Sequence, residues 1–128
     1  MIFKENTRPI YLQIADRICY DIMSGVYNPD DRMPSVREYA ASVEVNANTV
    51  MRSYEYLSTR DIIYNRRGIG FFVATDARNA IVKMRRDTFL NNDIIDFFKE
   101  LKMLGIAPDD LKSMYQDYCN SQYLTEKQ

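Results

Sequence analysis

Two short amphipathic segments fill residues 35–60, each opened by its own capping signal and separated by a tight turn. This pattern leaves the chain little freedom in how it can fold. Ser35 precedes the first segment and Glu38 stands three residues on. At that spacing a serine and a glutamate satisfy each other's orphan backbone amides. Pro34 ends whatever runs before it. Val36, Tyr39, Ala40 and Val43 supply the apolar face. Glu44-Val45 makes the turn, and Asn46 is a second good N-cap. The second segment is expected to run to about Arg60. Val50, Tyr54 and Leu57 fall at i, i+4 and i+7, which predicts one buried stripe. At ~100° per residue, Asn48, Arg52 and Thr59 point the other way and Thr49 lies at the flank. Two short helices joined by such a turn form a helix-turn-helix, whose second helix can enter the major groove of DNA. An amide, a hydroxyl and a guanidinium on its outward face are groups that hydrogen-bond base edges and phosphates.

A polar outward face by itself is only a solvated face. The next stretch gives it more weight. Ile62-Ile63-Tyr64-Asn65 and Phe71-Phe72-Val73 are β-prone runs around Arg66-Arg67-Gly68-Ile69-Gly70, which predicts a hairpin. Glycine permits the positive φ of a tight hairpin loop. Arginines at its tip can reach phosphates or the minor groove. An Arg-rich turn alone is commonly just a polar loop, but after a helix-turn-helix at this distance it reads as a wing.

These residues, together with those before them, resemble the GntR family of transcriptional regulators, and most closely its small YtrA-like subfamily. The resemblance begins at Pro9-Ile10-Tyr11-x-Gln13-Ile14. It passes Gly25 and Met33-Pro34-Ser35-x-Arg37-x-Tyr39-Ala40. It continues through Val45-Asn46-Ala47-Asn48-Thr49-Val50-x-Arg52-x-Tyr54-x-x-Leu57 and ends in Arg67-Gly68-x-Gly70-x-Phe72-Val73. It implies DNA contacts at Arg37, at Asn46, Asn48, Thr49 and Arg52, and in the wing at Arg67 and Gly68. Arg66 joins them by its place in the loop. Ala47 stands where that subfamily often has proline and other members have arginine. Met51 stands where many have a basic or polar residue. Both departures bear on which operator is read.

Composition excludes other classes. The chain has 128 residues and no histidine, so imidazole catalysis and imidazole metal ligation are absent. Cys19 and Cys119 lie far apart without a Cys-x-x-Cys motif, and both are expected to be small core or near-core residues. Asp30-Asp31 reads as a turn and Asp109-Asp110 as a helix start. No cofactor is expected, and the chain is read as a regulator rather than an enzyme. There is no apolar run of membrane-spanning length and no leader-like start, which places the expected location in the cytoplasm with no membrane partner. Net charge is −1, unlike the strongly basic balance of many DNA binders. Placement outweighs the sum, because the arginines lie on the elements that would meet DNA.

Ile10, Ile14, Ile18 and Ile22 predict a first helix from about Ile10 to Ser24, stopped by Gly25. Tyr11 flanks that stripe and is expected in the core. Val26 to Asp31 reads as a turn-rich connector. After Val73 the chain becomes helical. A helix over 77–104 would be about 42 Å long, with a poor stretch at Asn91-Asn92-Asp93 that leaves both a continuous and a kinked helix open. Pro108 starts another helix. The expected fold is mostly α with a small β-hairpin. Residues 1–76 form a winged helix-turn-helix domain, and residues 77–128 a helical dimerisation region. Ile94, Phe97, Phe98, Leu101 and Tyr115 carry more apolar surface than two helices can hide, which predicts a homodimer on double-stranded DNA and a palindromic operator. About fifty residues after the wing leave a small-molecule effector open. A protein-binding winged module is the alternative reading, with Arg52, Arg66 and Arg67 facing an acidic partner.

Overall fold

The computed structural model describes the backbone of residues 8–127 and the side chains of residues 8–121. Helix α1 (Ile10–Met23) opens on Pro9, whose carbonyl accepts the Leu12 and Gln13 amides at 3.0 and 3.1 Å. The Gln13 side chain donates back to the Arg8 carbonyl at 2.8 Å. Gly25, at φ +90°, ends the helix: the Val26 amide reaches the Asp21 carbonyl and the Gly25 amide that of Ile22. This is the Schellman closure that a left-handed residue permits. Helix α2 (Val36–Val43) carries the complete capping box. The Glu38 amide donates to Ser35 Oγ at 3.1 Å and the Ser35 amide to Glu38 Oε1 at 2.8 Å. Helix α3 (Ala47–Thr59) is capped by Asn46 Oδ1, which accepts the Asn48 amide at 2.7 Å. Between α2 and α3 the chain turns on Glu44, a non-glycine residue at φ 57°.

Strands β1 (Ile63–Arg66) and β2 (Gly70–Val73) pair antiparallel, Ile63 opposite Val73 and Arg66 opposite Gly70. Residues 30–33, the first two of which end the stretch read from sequence as connector, line the other edge of β2. Asp30 donates to the Val73 carbonyl, Val73 to that of Asp31, and Met33 to that of Phe71, all within 2.9 Å. Arg32 bridges Phe72. The hairpin therefore gains a short third edge, supplied by the chain just before α2. No local signal marks that pairing, because its partners lie about forty residues apart.

The core joins Ile14, Ile18 and Ile22 of α1, Tyr39 and Ala40 of α2, Val50, Tyr54 and Leu57 of α3, and Ile63 and Val73 of the sheet. Tyr54 is wholly buried. Its ring meets Tyr39 and Phe71 edge-on, and its hydroxyl donates to the Pro34 carbonyl at 2.7 Å. Burial pushes that phenol well above its usual range. Two expected core residues are on the surface. Ile10 is exposed in the first turn, where Tyr11 rather than Ile10 turns towards α3, and Val43 is exposed in the last turn of α2. Tyr11 itself is half-buried.

Helix α4 (Ala77–Thr88) buries Ala77 and Ile81 completely in this same core. The first compact unit thus runs through Asp87 and the second begins at Thr88. From Phe89 to Asp93 the helical spacing widens to a π turn, closed by the Ile94 amide on the Phe89 carbonyl. It contains Asn91 and Asn92, the stretch least suited to a regular helix. Helix α5 (Ile94–Met103) ends on Gly105 in a second Schellman closure. Helix α6 (Pro108–Lys127) starts on proline with Asp109 and Asp110 in its first turn, where carboxylates suit the helix dipole. Among the described residues of this second unit none is buried. Ile94 and Leu101 are half-buried, while Phe97, Phe98 and Tyr115 are exposed. Cys119, expected near the core, is exposed, as are its described neighbours on α6 from residue 112 to 121. Cys19 is buried, and burial pushes its thiol up to about 12.

Candidate nucleic-acid interface

The core decides which face of α3 is left over. Val50, Ser53, Tyr54 and Leu57 are buried, so Asn48, Met51, Arg52, Glu55 and Thr59 face outward. Asn46 is exposed beside them, with its side-chain oxygen spent on the cap. Thr49 is half-buried at the flank, as its angle on the helix requires. Arg37 stands exposed in the first turn of α2. The local chemistry therefore gathers an amide, a hydroxyl and two guanidinium groups on the helix-turn-helix surface.

In the wing, the Ile69 amide closes on the Arg66 carbonyl at 2.8 Å, with Gly68 at φ +79° at the third position of the turn. Arg66, Arg67 and Gly68 are all exposed. The Arg66 guanidinium lies 5.4 Å from the centre of the Phe72 ring, which itself stacks on Tyr64. Among the described residues the ion pairs are Arg8–Asp16 and Arg17–Asp21. Neither uses Arg37, Arg52, Arg66 or Arg67, so these four keep their charge available. A chain of net charge −1 can thereby present cationic groups on its helix-turn-helix and wing surfaces.

Residues 10–73 match the family described as bacterial regulatory proteins, gntR family. The chain belongs to that family. A solved regulator of the GntR family from Bacteroides thetaiotaomicron is 52% identical, with a TM-score of 0.75 over 89% of this chain and 99% of that one. The HTH-type transcriptional repressor YtrA of Bacillus subtilis is 35% identical over 61% of this chain and 60% of its own length. The DNA-binding domain of AraR, solved in complex with an operator, is 29% identical, with a TM-score of 0.50 over 52% of this chain and 80% of that one. As a GntR regulator the chain is a DNA-binding winged helix-turn-helix protein. Its relatives are regulators, not enzymes. Among the described residues no helix is long and apolar enough to cross a membrane.

Sequence reasoning missed Arg32 in this GntR domain. Its guanidinium donates to the Ile69 carbonyl in the wing loop at 2.8 Å and lies 3.4 Å from where a Cβ on Gly70 would stand. Gly70 sits at φ +143°, a conformation other residues rarely adopt. Arg32 so ties the segment leading into α2 to the wing tip. A lone arginine in a polar connector carries no sequence signal for that role. A second unforeseen feature is at Arg52, whose guanidinium lies 4.0 Å above the Tyr11 ring.

Proposed function

We propose that this regulator is a repressor that binds an inverted-repeat operator as a homodimer and blocks transcription by occupying promoter-proximal DNA. One observation carries the reading. A helix-turn-helix with an exposed polar recognition face is followed, from Thr88 on, by helices that, among the described residues, bury nothing. Ile94, Phe97, Phe98, Leu101 and Tyr115 supply an apolar face that a second copy would cover, and two-fold pairing would present two recognition helices to two half-sites. The contact set is Arg37, Asn46, Asn48, Thr49 and Arg52 from the helices, with Arg66, Arg67 and Gly68 from the wing. Repression is supported by the name of YtrA and operator binding by the AraR complex. The aromatic residues of α5 and α6 serve this interface rather than an effector pocket, and the protein works in the cytoplasm beside its operator.

Selection of bound duplexes from a random pool, paired with sedimentation of the full chain, tests this. The expected outcome is a dimer on an inverted repeat whose half-sites are about one helical turn apart. Arg52→Ala in a folded protein should weaken operator binding by ~1–3 kcal/mol. A monomer at micromolar concentration, bound to a non-palindromic site at full strength, overturns the dimer. Binding to acidic protein surfaces with no preferred duplex would return the winged domain to a protein-contact role.

A further inference from the structure

Arg52 is held by an aromatic stack. Its guanidinium carbon is 4.0 Å from the centre of the Tyr11 ring. Tyr11 meets Tyr56 edge-on, centroids 6.2 Å apart at 77°. The Arg60 guanidinium in turn lies 3.6 Å from the centre of the Tyr56 ring. The backbone beneath Tyr11 is pinned too: Ser53, wholly buried, donates its hydroxyl to the Tyr11 carbonyl at 2.7 Å. The first turn of α1 is thus locked to α3 by a serine in the core and by two adjoining rings, each with a guanidinium group over it.

We propose that Tyr11 is the positioning residue of Arg52, setting the plane in which Arg52 presents its donors to DNA. This rests on the reading of Arg52 as a base contact. A guanidinium is planar and its N–H donors radiate within that plane. A ring against one face restrains the plane and leaves the edge open. That edge makes the paired hydrogen bonds to guanine O6 and N7. An unheld arginine side chain loses much rotamer freedom on ordering, and preorganisation lowers that cost at the moment of binding. The α1 residue therefore contributes to recognition by aiming Arg52, with no contact of its own to a base required.

The experiment measures operator affinity, and affinity for a duplex mutated at the base pair read by Arg52, for wild type, Tyr11→Phe, Tyr11→Leu, Arg52→Ala and the double variant Tyr11→Leu/Arg52→Ala. Tyr11→Phe keeps the ring and should stay near wild type. Tyr11→Leu should bind roughly two- to fivefold more weakly, the size of an exposed cation–π contact, and should lose discrimination at that base pair. In the Arg52→Ala background Tyr11→Leu should have no further effect. An equal loss in both backgrounds, or tighter binding by Tyr11→Leu, overturns the proposal. If Arg52→Ala alone binds normally, the base-contact reading fails instead. Should Tyr11→Leu not fold, the wild-type protein still decides. Free in solution, its Arg52 Cδ and Nε protons should show an upfield ring-current shift that Tyr11→Phe retains, and a random-coil shift overturns the stack.

Discussion

The two compact units of this chain use the same kind of residue in opposite ways. In the winged unit, Ile14, Ile18 and Ile22, at four-residue spacing, meet Tyr54 and Leu57 and vanish from the surface. In the second unit, Phe97 and Phe98 sit on a helix just as amphipathic and Tyr115 on the next, yet all three remain exposed. A four-helix unit with a sheet closes around its own apolar faces. Two helices joined by a short turn have no third layer to close with. The first region therefore closes its core within the chain itself, whereas the described residues of the second leave their apolar side chains exposed.

The most severe way to break this contrast is to move the boundary. A chain ending at Asp87 should fold as a monomer. One ending at Asp76 loses Ala77 and Ile81, both wholly buried, and should be less stable by at least 2–5 kcal/mol, the usual cost of emptying one large core site. Urea titration of the two truncated chains checks it; equal midpoints would mean that α4 contributes nothing to the winged core.

Paired substitutions sharpen the contrast. Leu57→Ala should cost ~2–5 kcal/mol in the winged unit. Phe98→Ala removes a larger side chain but should leave the unfolding of a monomeric, dilute sample nearly unchanged. Its effect should appear in sedimentation, as a shift towards monomer. Comparable destabilisation by both would place Phe98 in an intramolecular core.

A smaller effect tests whether the helix-turn-helix is set by local bonds. Ser35→Ala should cost ~1 kcal/mol by opening the box at the start of α2. The box is also pH-sensitive. The Ser35 amide, and then its hydroxyl, hold the Glu38 carboxyl below its ordinary value. Its stabilising contribution is therefore complete above the unfolded carboxyl's pKa and disappears as pH falls through the lower folded value. Wild type should lose more stability than Glu38→Gln on acidification across that window, as thermal melts can show. Parallel curves would sink this account of the box.

The smallest expected change is a gain. Glu44 holds φ 57° between α2 and α3, a conformation that costs an ordinary residue ~1–2 kcal/mol. Glycine relieves it but loses more freedom on folding, by ~0.5–1 kcal/mol. Glu44→Gly should thus stabilise the winged unit by about 0.5 kcal/mol in a denaturant titration, with the second unit indifferent. A loss of stability would point to a contact of the Glu44 side chain that outweighs the strain.

What the amino-acid sequence determined by itself was whatever depends on neighbours within a turn or two. Ser35 with Glu38, Asn46 before α3, Gly25 as a stop, Pro108 as a start and Gly68 in the wing were all legible, because a cap or a positive φ is settled by bonds a few residues long. So was the outward face carrying Asn48 and Arg52, since helical periodicity assigns it once Val50, Tyr54 and Leu57 are buried. Only the tertiary structure decided that residues 30–33 edge the wing, that Arg32 reaches Ile69, that Arg52 rests on Tyr11, and that the first core runs on to Ile81. It also decided that Ile10, Val43 and Cys119 stay at the surface. A periodic pattern says which face of an element is apolar. It does not say how far the covering element extends, nor which distant backbone or ring a flexible guanidinium will meet, because both depend on residues that only folding brings together.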